Sequence, residues 1–512
     1  MKRKSHIRQE ILDLPLFLLI FGIFSASMII PAFFAVVTDD LLASRAFFYS
    51  CLLGVIVFAM IAIAHSGRKA RHGSLGPLLS LFSSFVILPA ILAIPFLEAL
   101  PTTRFINAYF DMVSSITTTG ASLFDDPGRL SDTLHLWRAQ VAWMGGLLMW
   151  IAASAILAPL HLGGFEVTSQ AEPGNPDDRR TTASAPVNPR LRLIRSAGAL
   201  APTYLALTLL LWVLLLANGD RSLVALCHAM SVMATSGISP LGGTHDTGVS
   251  FGAEAVMMLF MLFALSRLTF SKDTVTATQG GLRTDPEFRM GLALIIGVPL
   301  ILFARHFLGA FDVSAPGEAY ESGSALWGAI FTVTSFLTTT GFVSSSWAQA
   351  QSWSGLETPG LILMGLALVG GGVATTAGGV KLLRVFALYR NGARELERLV
   401  HPHSVSGAGT TGRRLQSNGA FIAWIFFMLF ALSLAGVTLI LTFVGAPFED
   451  ALVMSVASLS TTGPLIEFAA DAPITLIDLG DPAKIILIGA MVLGRLETLA
   501  IIALLTPDLW RA

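Results

Sequence analysis

AYFDMVSSITTTG (108–120), ALCHAMSVMATSG (225–237), AIFTVTSFLTTTG (329–341) and ALVMSVASLSTTG (451–463) can be laid over one another without a gap. Each carries Ala twelve positions before its Gly (Ala108, Ala225, Ala329, Ala451) and a large apolar residue four before it (Ile116, Met233, Leu337, Leu459). Two hydroxyl residues stand directly before each Gly: Thr118 and Thr119, Thr235 and Ser236, Thr339 and Thr340, Thr461 and Thr462. A fourfold repeat in an apolar chain implies four walls around one axis. Such an arrangement encloses a path for an ion.

Composition identifies the solvent. Of 512 residues, 54% are hydrophobic and 13% charged, against roughly 45–50% and 25% in soluble domains. The two cysteines, Cys51 and Cys227, sit in apolar runs and imply no disulfide framework. The basic start MKRKSHIRQE is followed by an apolar run longer than the ~7–15-residue core of a cleavable signal. It reads as an uncleaved first span.

Crossing a bilayer takes about 20 mostly apolar residues in a helix. Ten segments qualify: about 14–37, 45–65, 75–98, 134–160, 196–217, 250–270, 289–309, 356–389, 419–444 and 483–505. The four repeated segments fall between spans 3 and 4, 5 and 6, 7 and 8, and 9 and 10. They are too short to cross and read as re-entrant half-helices, since irregular backbone at membrane depth must line a cavity or lie inside protein. The expected fold is an all-α membrane protein of ten transmembrane helices, with four helix–pore-helix–filter–helix repeats in pseudo-fourfold symmetry. Residues 1–73 form an N-terminal two-helix extension, 74–165 repeat 1, 193–271 repeat 2, 272–390 repeat 3 and 419–512 repeat 4. The polar stretches 166–192 and 391–418 read as cytoplasmic linkers, open to a soluble partner or simply mobile.

Lysine and arginine orient the chain. They collect at the N-terminus (Lys2, Arg3, Lys4, Arg8) and in every second connection, for example Arg68, Lys69 and Arg71, or Arg190, Arg192 and Arg195. The positive-inside rule makes these connections and both termini cytoplasmic. The alternate connections carry acids, among them Asp125, Asp126, Asp132, Asp478 and Asp481. They either concentrate cations at an outer vestibule or are ordinary solvated loops.

Stripping water from a cation takes several oxygens at fixed distance, as backbone carbonyls supply in potassium-conducting filters. Unusual dihedrals in such a strand suit Gly, which accounts for Gly120, Gly237, Gly341 and Gly463. The hydroxyl residues before them offer carbonyl or side-chain oxygens without plugging a pore. Each half-helix would aim its partly negative C-terminal end at the ion. A single TTG carries almost no information; four in matched hairpins carry a great deal.

Two features lie on the cytoplasmic half. GGGVATTAGGVK (370–381) breaks span 8 with five glycines, each lowering helix propensity by about 1 kcal/mol relative to Ala. It reads as a flexible gate beneath the filter, built from Gly370, Gly371, Gly372, Thr375, Thr376, Gly378, Gly379 and Lys381; the alternative is close helix packing through small residues. Arg495 lies inside span 10, where an isolated charge is costly and needs a partner. It sets an electrostatic barrier below the filter, or pairs with Glu497 or another acid. Lys381 and Arg384 read as juxtamembrane anchors, with Lys381 also able to set the loop's position. Asp111 places charge near the filter or bonds backbone. His228 reads as a packed polar residue. Trp137, Trp143, Trp347, Trp353 and Trp510 suit interface belts. No phosphate loop, HExxH or CxxC occurs, so no cofactor, nucleic-acid partner or enzymatic activity is expected of this chain.

The filters ITTTGAS (116–122) and FLTTTGF (336–342), WMGGL (143–147), GGGVATTAGGVKLLRV (370–385) and LGRLETLAIIALLTPDLWR (493–511) resemble the Trk/Ktr/HKT superfamily of potassium transporters over nearly the whole chain. The two extra N-terminal spans are similar to those of the bacterial Trk uptake branch. The resemblance implies a homodimer in the bacterial inner membrane, each protomer holding its own pore and passing K⁺ inward. It implies K⁺ coordination at the four hydroxyl pairs and their glycines, a gate at 370–381, and a positive constriction at Arg495. It also implies control by a cytoplasmic ring of RCK-type nucleotide-binding subunits of the TrkA kind, and associates Gly120 with potassium preference. The second filter, ATSGISP, and the fourth, STTGPLI, depart from the family pattern, the fourth lacking the expected Asn before its Gly. The alternatives are a potassium-translocating subunit of an ATP-driven pump, which would co-purify with an ATPase, and an intramembrane enzyme, for which no paired nucleophile and base stands out.

Overall fold

Long apolar runs become helices because each helix satisfies its own backbone hydrogen bonds where no water can. The computed structural model describes residues 14–65, 76–157, 189–244, 249–266, 285–309, 318–355, 358–401, 417–470 and 472–497. Among them the regular structure is entirely helical. Seven helices are long and apolar enough to cross a membrane: α1 (Leu16–Val37), α2 (Leu41–His65), α3 (Gly76–Ala99), α5 (Asp132–Leu157), and the stretches Arg192–Ala217, Pro286–Arg305 and Ala420–Phe443. The last three belong to α6 (Pro189–Ala217), α9 (Pro286–Gly309) and α14 (Ser417–Phe443).

The other three expected spans take different forms. Span 6 is α8 (Phe251–Leu265), which tightens into a 3₁₀ turn over Leu262–Leu265. Span 8 is interrupted: α12 (Gly360–Val369) stops at Gly370, whose φ of +72° ends the helix, and α13 (Leu382–Val400) starts after Lys381. Span 10 is α17 (Asp481–Leu496), and its expected continuation to 505 lies outside the described residues. So do most of linker 166–192 and residues 402–416.

The repeated segments form α4 (Phe105–Ile116), α7 (Ser222–Ala234), α10 (Glu318–Leu337) and α15 (Phe448–Leu459), with the short helices α11 (Trp347–Ser354) and α16 (Leu465–Phe468) following the last two. Three have the expected short length; α10 is longer, at 20 residues. Each packs between the two helices flanking it: α4 against α3 and α5, α7 against α6 and α8, α10 against α9 and α12, α15 against α14 and α17. Each also packs on the second helix of the preceding repeat: α7 on α5, α10 on α8, α15 on α12, and α4 on α17. The last contact joins residues as far apart as Asn107 and Lys484, 377 positions, and closes the circuit.

Burial corrects several sequence readings. Trp137 is fully buried, donating its indole N–H to the Leu92 carbonyl at 3.3 Å, and Trp347 is 5% exposed. Trp143 donates to Thr208 Oγ1 at 2.9 Å. Trp137 and Trp347 are packed inside protein and Trp143 is half-buried; Trp510 lies outside the described residues. Arg384, expected at the interface, is fully buried.

Candidate functional site

All four of these repeated helices end the same way. Ser115 O, Val232 O, Phe336 O and Ser458 O accept from the amides of Thr118, Thr235, Thr339 and Thr461. Ser114 O, Ser231 O, Ser335 O and Ala457 O accept from the next amides, those of Thr119, Ser236, Thr340 and Thr462, at 2.8–3.0 Å. This pair of bonds is the Schellman stop, whose left-handed residue is usually Gly. Here that residue is Thr each time, with φ of +55°, +52°, +56° and +55°. A β-branched residue in that region is strained by about 1–3 kcal/mol, and the same strain recurs in all four copies. Sequence reasoning assigned the unusual dihedral to the glycines and overlooked the threonines.

Three glycines do have positive φ: Gly120 (+75°), Gly237 (+66°) and Gly341 (+88°). Gly463 does not, and its reason is proximity, since a Cβ there would lie 2.1 Å from the Ala121 amide nitrogen. A Cβ on Gly120 would lie 1.7 Å from Ser236 O, one on Gly237 2.3 Å from Thr340 O, and one on Gly341 2.8 Å from Pro464 Cγ. Gly463 N–H donates to Thr119 O at 2.6 Å. Four segments spread over some 350 residues therefore meet backbone to backbone.

The hydroxyls divide into two sets. Those of the second residue turn back into the protein: Thr119 shares a hydrogen bond with Thr117 (2.9 Å), Thr340 with Thr338 (3.1 Å), Thr462 with Ser460 (3.2 Å) and Ser236 with Ser231 (3.1 Å). Those of the strained threonines do not form such a set. Thr118 Oγ1 and Thr461 Oγ1 are buried and have no hydrogen-bond partner among the described residues, and Thr339 Oγ1 accepts from Gly378 N–H at 2.7 Å. Thr235 Oγ1 donates to Ala234 O.

Gly120, Gly237, Gly341 and Gly463 all border one cavity of about 210 Å³. Its walls carry Asp125, Glu467, His135 and Arg138. Burial and the nearby Asp478 carboxylate hold the Asp125 carboxyl above the ordinary range. Arg138 Nε lies 2.7 Å from Asp111 Oδ2, a charge contact with both side chains buried and no aligned hydrogen bond. Asp111 thus has a side-chain partner that sequence reasoning did not name. His228 is packed as expected, bonded to Ser239 Oγ at 2.9 Å.

On the opposite side of the four glycines lies 370–381. Gly378 fits against the fourth segment so closely that a Cβ would sit 2.1 Å from Ser460 O and 2.3 Å from Thr461 Oγ1. Thr376 Oγ1 donates to Met233 O at 3.2 Å, so the loop touches repeats 2, 3 and 4. Val373 N–H donates to Glu287 Oε1 (3.1 Å) and Gly372 N–H to Ala264 O (2.9 Å). Two buried cations grip adjacent loop carbonyls: Arg495 Nη1 donates to Thr376 O at 2.7 Å, and Lys381 Nζ to Ala377 O. Lys381 is therefore a loop residue rather than a surface anchor. The Arg495–Glu497 pair does not form. Glu497 accepts from Arg384 at 2.7 Å, and that guanidinium stacks 3.4 Å over the Phe426 ring. Arg495 Nε and Nη2 have no hydrogen-bond partner among the described residues.

The sequence pattern of the family described as TrkH, cation transport protein, matches residues 79–508. The chain belongs to this family. It is a multi-pass membrane protein of a transport class. The Trk system potassium uptake protein TrkH of Vibrio parahaemolyticus is 29% identical over 502 residues, covering 96% of this chain and 98% of that one. TrkH of Escherichia coli K12 is 29% identical over 495 residues (96% and 97%), and TrkH of Halomonas elongata 31% over 414 (79% of each). The crystal structure of the potassium transporter TrkH from V. parahaemolyticus superposes with a TM-score of 0.80 at 26% identity, covering 98% of this chain and 99% of that one.

Proposed function

We propose that this chain is a gated pore for potassium uptake. The observation that carries the reading is the meeting of Gly120, Gly237, Gly341 and Gly463, from four separate repeats, at the floor of one cavity. The carbonyls of the hydroxyl pairs around that meeting are the oxygens that replace an ion's water. The four short helices end at it, adding the partly negative ends of their dipoles. K⁺ is the cargo, passing between Thr118–Gly120, Thr235–Gly237, Thr339–Gly341 and Thr461–Gly463. The loop 370–381 is the gate and Arg495 the positive constriction beneath it. The names of the relatives support potassium as the cation. The inner membrane is the location, with both termini cytoplasmic, a reading supported by the apolar helices and the distribution of lysine and arginine. A homodimer governed by a TrkA-like cytoplasmic ring completes the assembly.

Purified protein in liposomes should carry K⁺ or Rb⁺ flux that Gly120→Asp abolishes, because a side chain there meets the Ser236 carbonyl. Flux that survives this change in folded protein rejects the reading.

A further inference from the structure

Glu254 lies on α8, four residues after that helix's N-cap Ser250, and is fully buried. Its carboxylate accepts three hydrogen bonds: Oε2 from Trp327 Nε1 (2.7 Å) and from Ser344 Oγ (2.8 Å), Oε1 from the Ser345 amide (2.7 Å). All three donors belong to repeat 3, whereas Glu254 belongs to repeat 2. Trp327 stands on the pore helix α10 ahead of the filter, and Ser344 and Ser345 stand just past Gly341. One carboxylate therefore ties the two legs of the third hairpin together and fixes both to the neighbouring repeat. Two further bonds stiffen the same outgoing leg. Thr244 Oγ1 donates to Val343 O at 2.6 Å, and Ser344 N–H to Thr332 Oγ1 at 3.2 Å.

The corresponding positions, four residues after the N-caps Ser131, Pro359 and Gly480, are His135, Leu363 and Lys484. All are buried. Leu363 offers no polar group. His135 bonds to Pro127 O, and Lys484 Nζ donates to Asn107 Oδ1 at 3.1 Å and Ile477 O at 3.0 Å. None of these partners is within six positions of a filter glycine. Among the described residues, Glu254 alone of the four hydrogen-bonds within six positions after a filter glycine.

We infer that Glu254 is the positioning residue that sets the third filter strand, and that it thereby governs discrimination between K⁺ and smaller cations. Discrimination by carbonyls depends on how firmly their spacing is kept. A hydrogen bond to a charged acceptor is roughly twice as strong as a neutral one, and a buried acceptor with three donors holds them rigidly. Relaxing this strand lets the Thr339–Gly341 carbonyls close on a smaller ion. The inference rests on the pore reading above.

The test is the K⁺/Na⁺ permeability ratio of the full chain in liposomes, alongside thermal stability. Glu254→Gln puts N–H groups against donors and should lower the ratio by about tenfold or more, the scale of one hydrogen bond to a charge. Ser344→Ala removes a single donor and should lower it less, in the same direction. Lys484→Met, at the matching position of repeat 4, should lower stability and leave the ratio unchanged. Should Glu254→Gln fail to fold, Ser344→Ala decides alone. A wild-type ratio in the folded variants overturns the inference, as does an equal fall in Lys484→Met. Absence of any K⁺ flux in the wild type instead rejects the pore reading, and with it this inference.

Discussion

The Gly378 amide donates to Thr339 Oγ1 at 2.7 Å, joining the loop to the strained threonine of the third repeated segment. An oxygen that accepts an N–H there cannot offer the same lone pair to a cation. Seating of the loop and an ion at that oxygen therefore compete. Gly378→Ala should unseat the loop, because the added Cβ would lie 2.1 Å from Ser460 O and 2.3 Å from Thr461 Oγ1. Basal Rb⁺ flux without any regulatory subunit should rise several-fold; unchanged flux in folded protein would show that the loop does not obstruct the path.

Arg495 both carries charge and bonds the loop through Thr376 O, and two variants separate these roles. Arg495→Gln removes the charge but keeps a donor, and Arg495→Ala removes both. If the charge is the barrier, both raise flux to a similar extent. If the bond to Thr376 holds the loop closed, only Arg495→Ala does. No rise in either removes Arg495 from the path.

The filter glycines should be irreplaceable for more than one reason. Gly120→Ala and Gly463→Ala both place a Cβ within 2.1 Å of neighbouring backbone, although only Gly120 has a positive φ. Both should abolish flux. Gly365→Ala in α12, where nothing lies within 4 Å, should leave flux within about twofold and favour the helix by roughly 0.5–1 kcal/mol. Flux assays on the three variants, scaled to folded protein, check this.

The buried Asp111–Arg138 pair gives a stability prediction. Removing one partner leaves an uncompensated charge and costs about 3–5 kcal/mol. Arg138→Met should therefore unfold at a lower temperature in detergent. The double variant Asp111→Asn with Arg138→Met should recover more than half of that loss, and a double variant no better than the single would show the pair to be uncoupled.

Asp125 on the cavity wall supplies a pH dependence. Its carboxyl is held above the ordinary range, so the folded protein binds that proton more tightly than the unfolded chain. Its stabilising contribution is present below the ordinary carboxylate pKa and is lost as pH rises through the folded value. Cation capture runs the other way, since only the ionised form attracts K⁺. Asp125→Asn should raise the KM for Rb⁺ at neutral external pH, with the difference from wild type vanishing in acid. A KM difference that persists in acid would assign the effect to shape rather than charge.

Hydroxyl pairs before glycine, repeated four times in an apolar chain, mark the four equivalent segments proposed as filters, the glycine run 370–381 marks the break proposed as a gate, and apolarity marks the helical class, because apolarity, spacing and Gly placement are local properties. The threonines at φ near +55° could not be read this way, since Thr is among the least suited residues for that region and only the surrounding packing holds it there. Arg495 is visible in the sequence as a costly charge, but not its partner Thr376 O, and Lys381 reads there as a juxtamembrane anchor able to set the loop's position rather than as a buried cation on Ala377 O. The alternative Arg495–Glu497 pair does not form: Glu497 stands past the end of α17 with a φ of +64°, and Arg384 reaches it from α13. Sequence alone settled that four segments are equivalent and that a bilayer surrounds them. Tertiary structure alone decided which backbone atoms meet, which cations grip the loop, and that Glu254 of one repeat accepts from Trp327, Ser344 and Ser345 of the next. Those are contacts across tens to hundreds of residues, and no local periodicity encodes them.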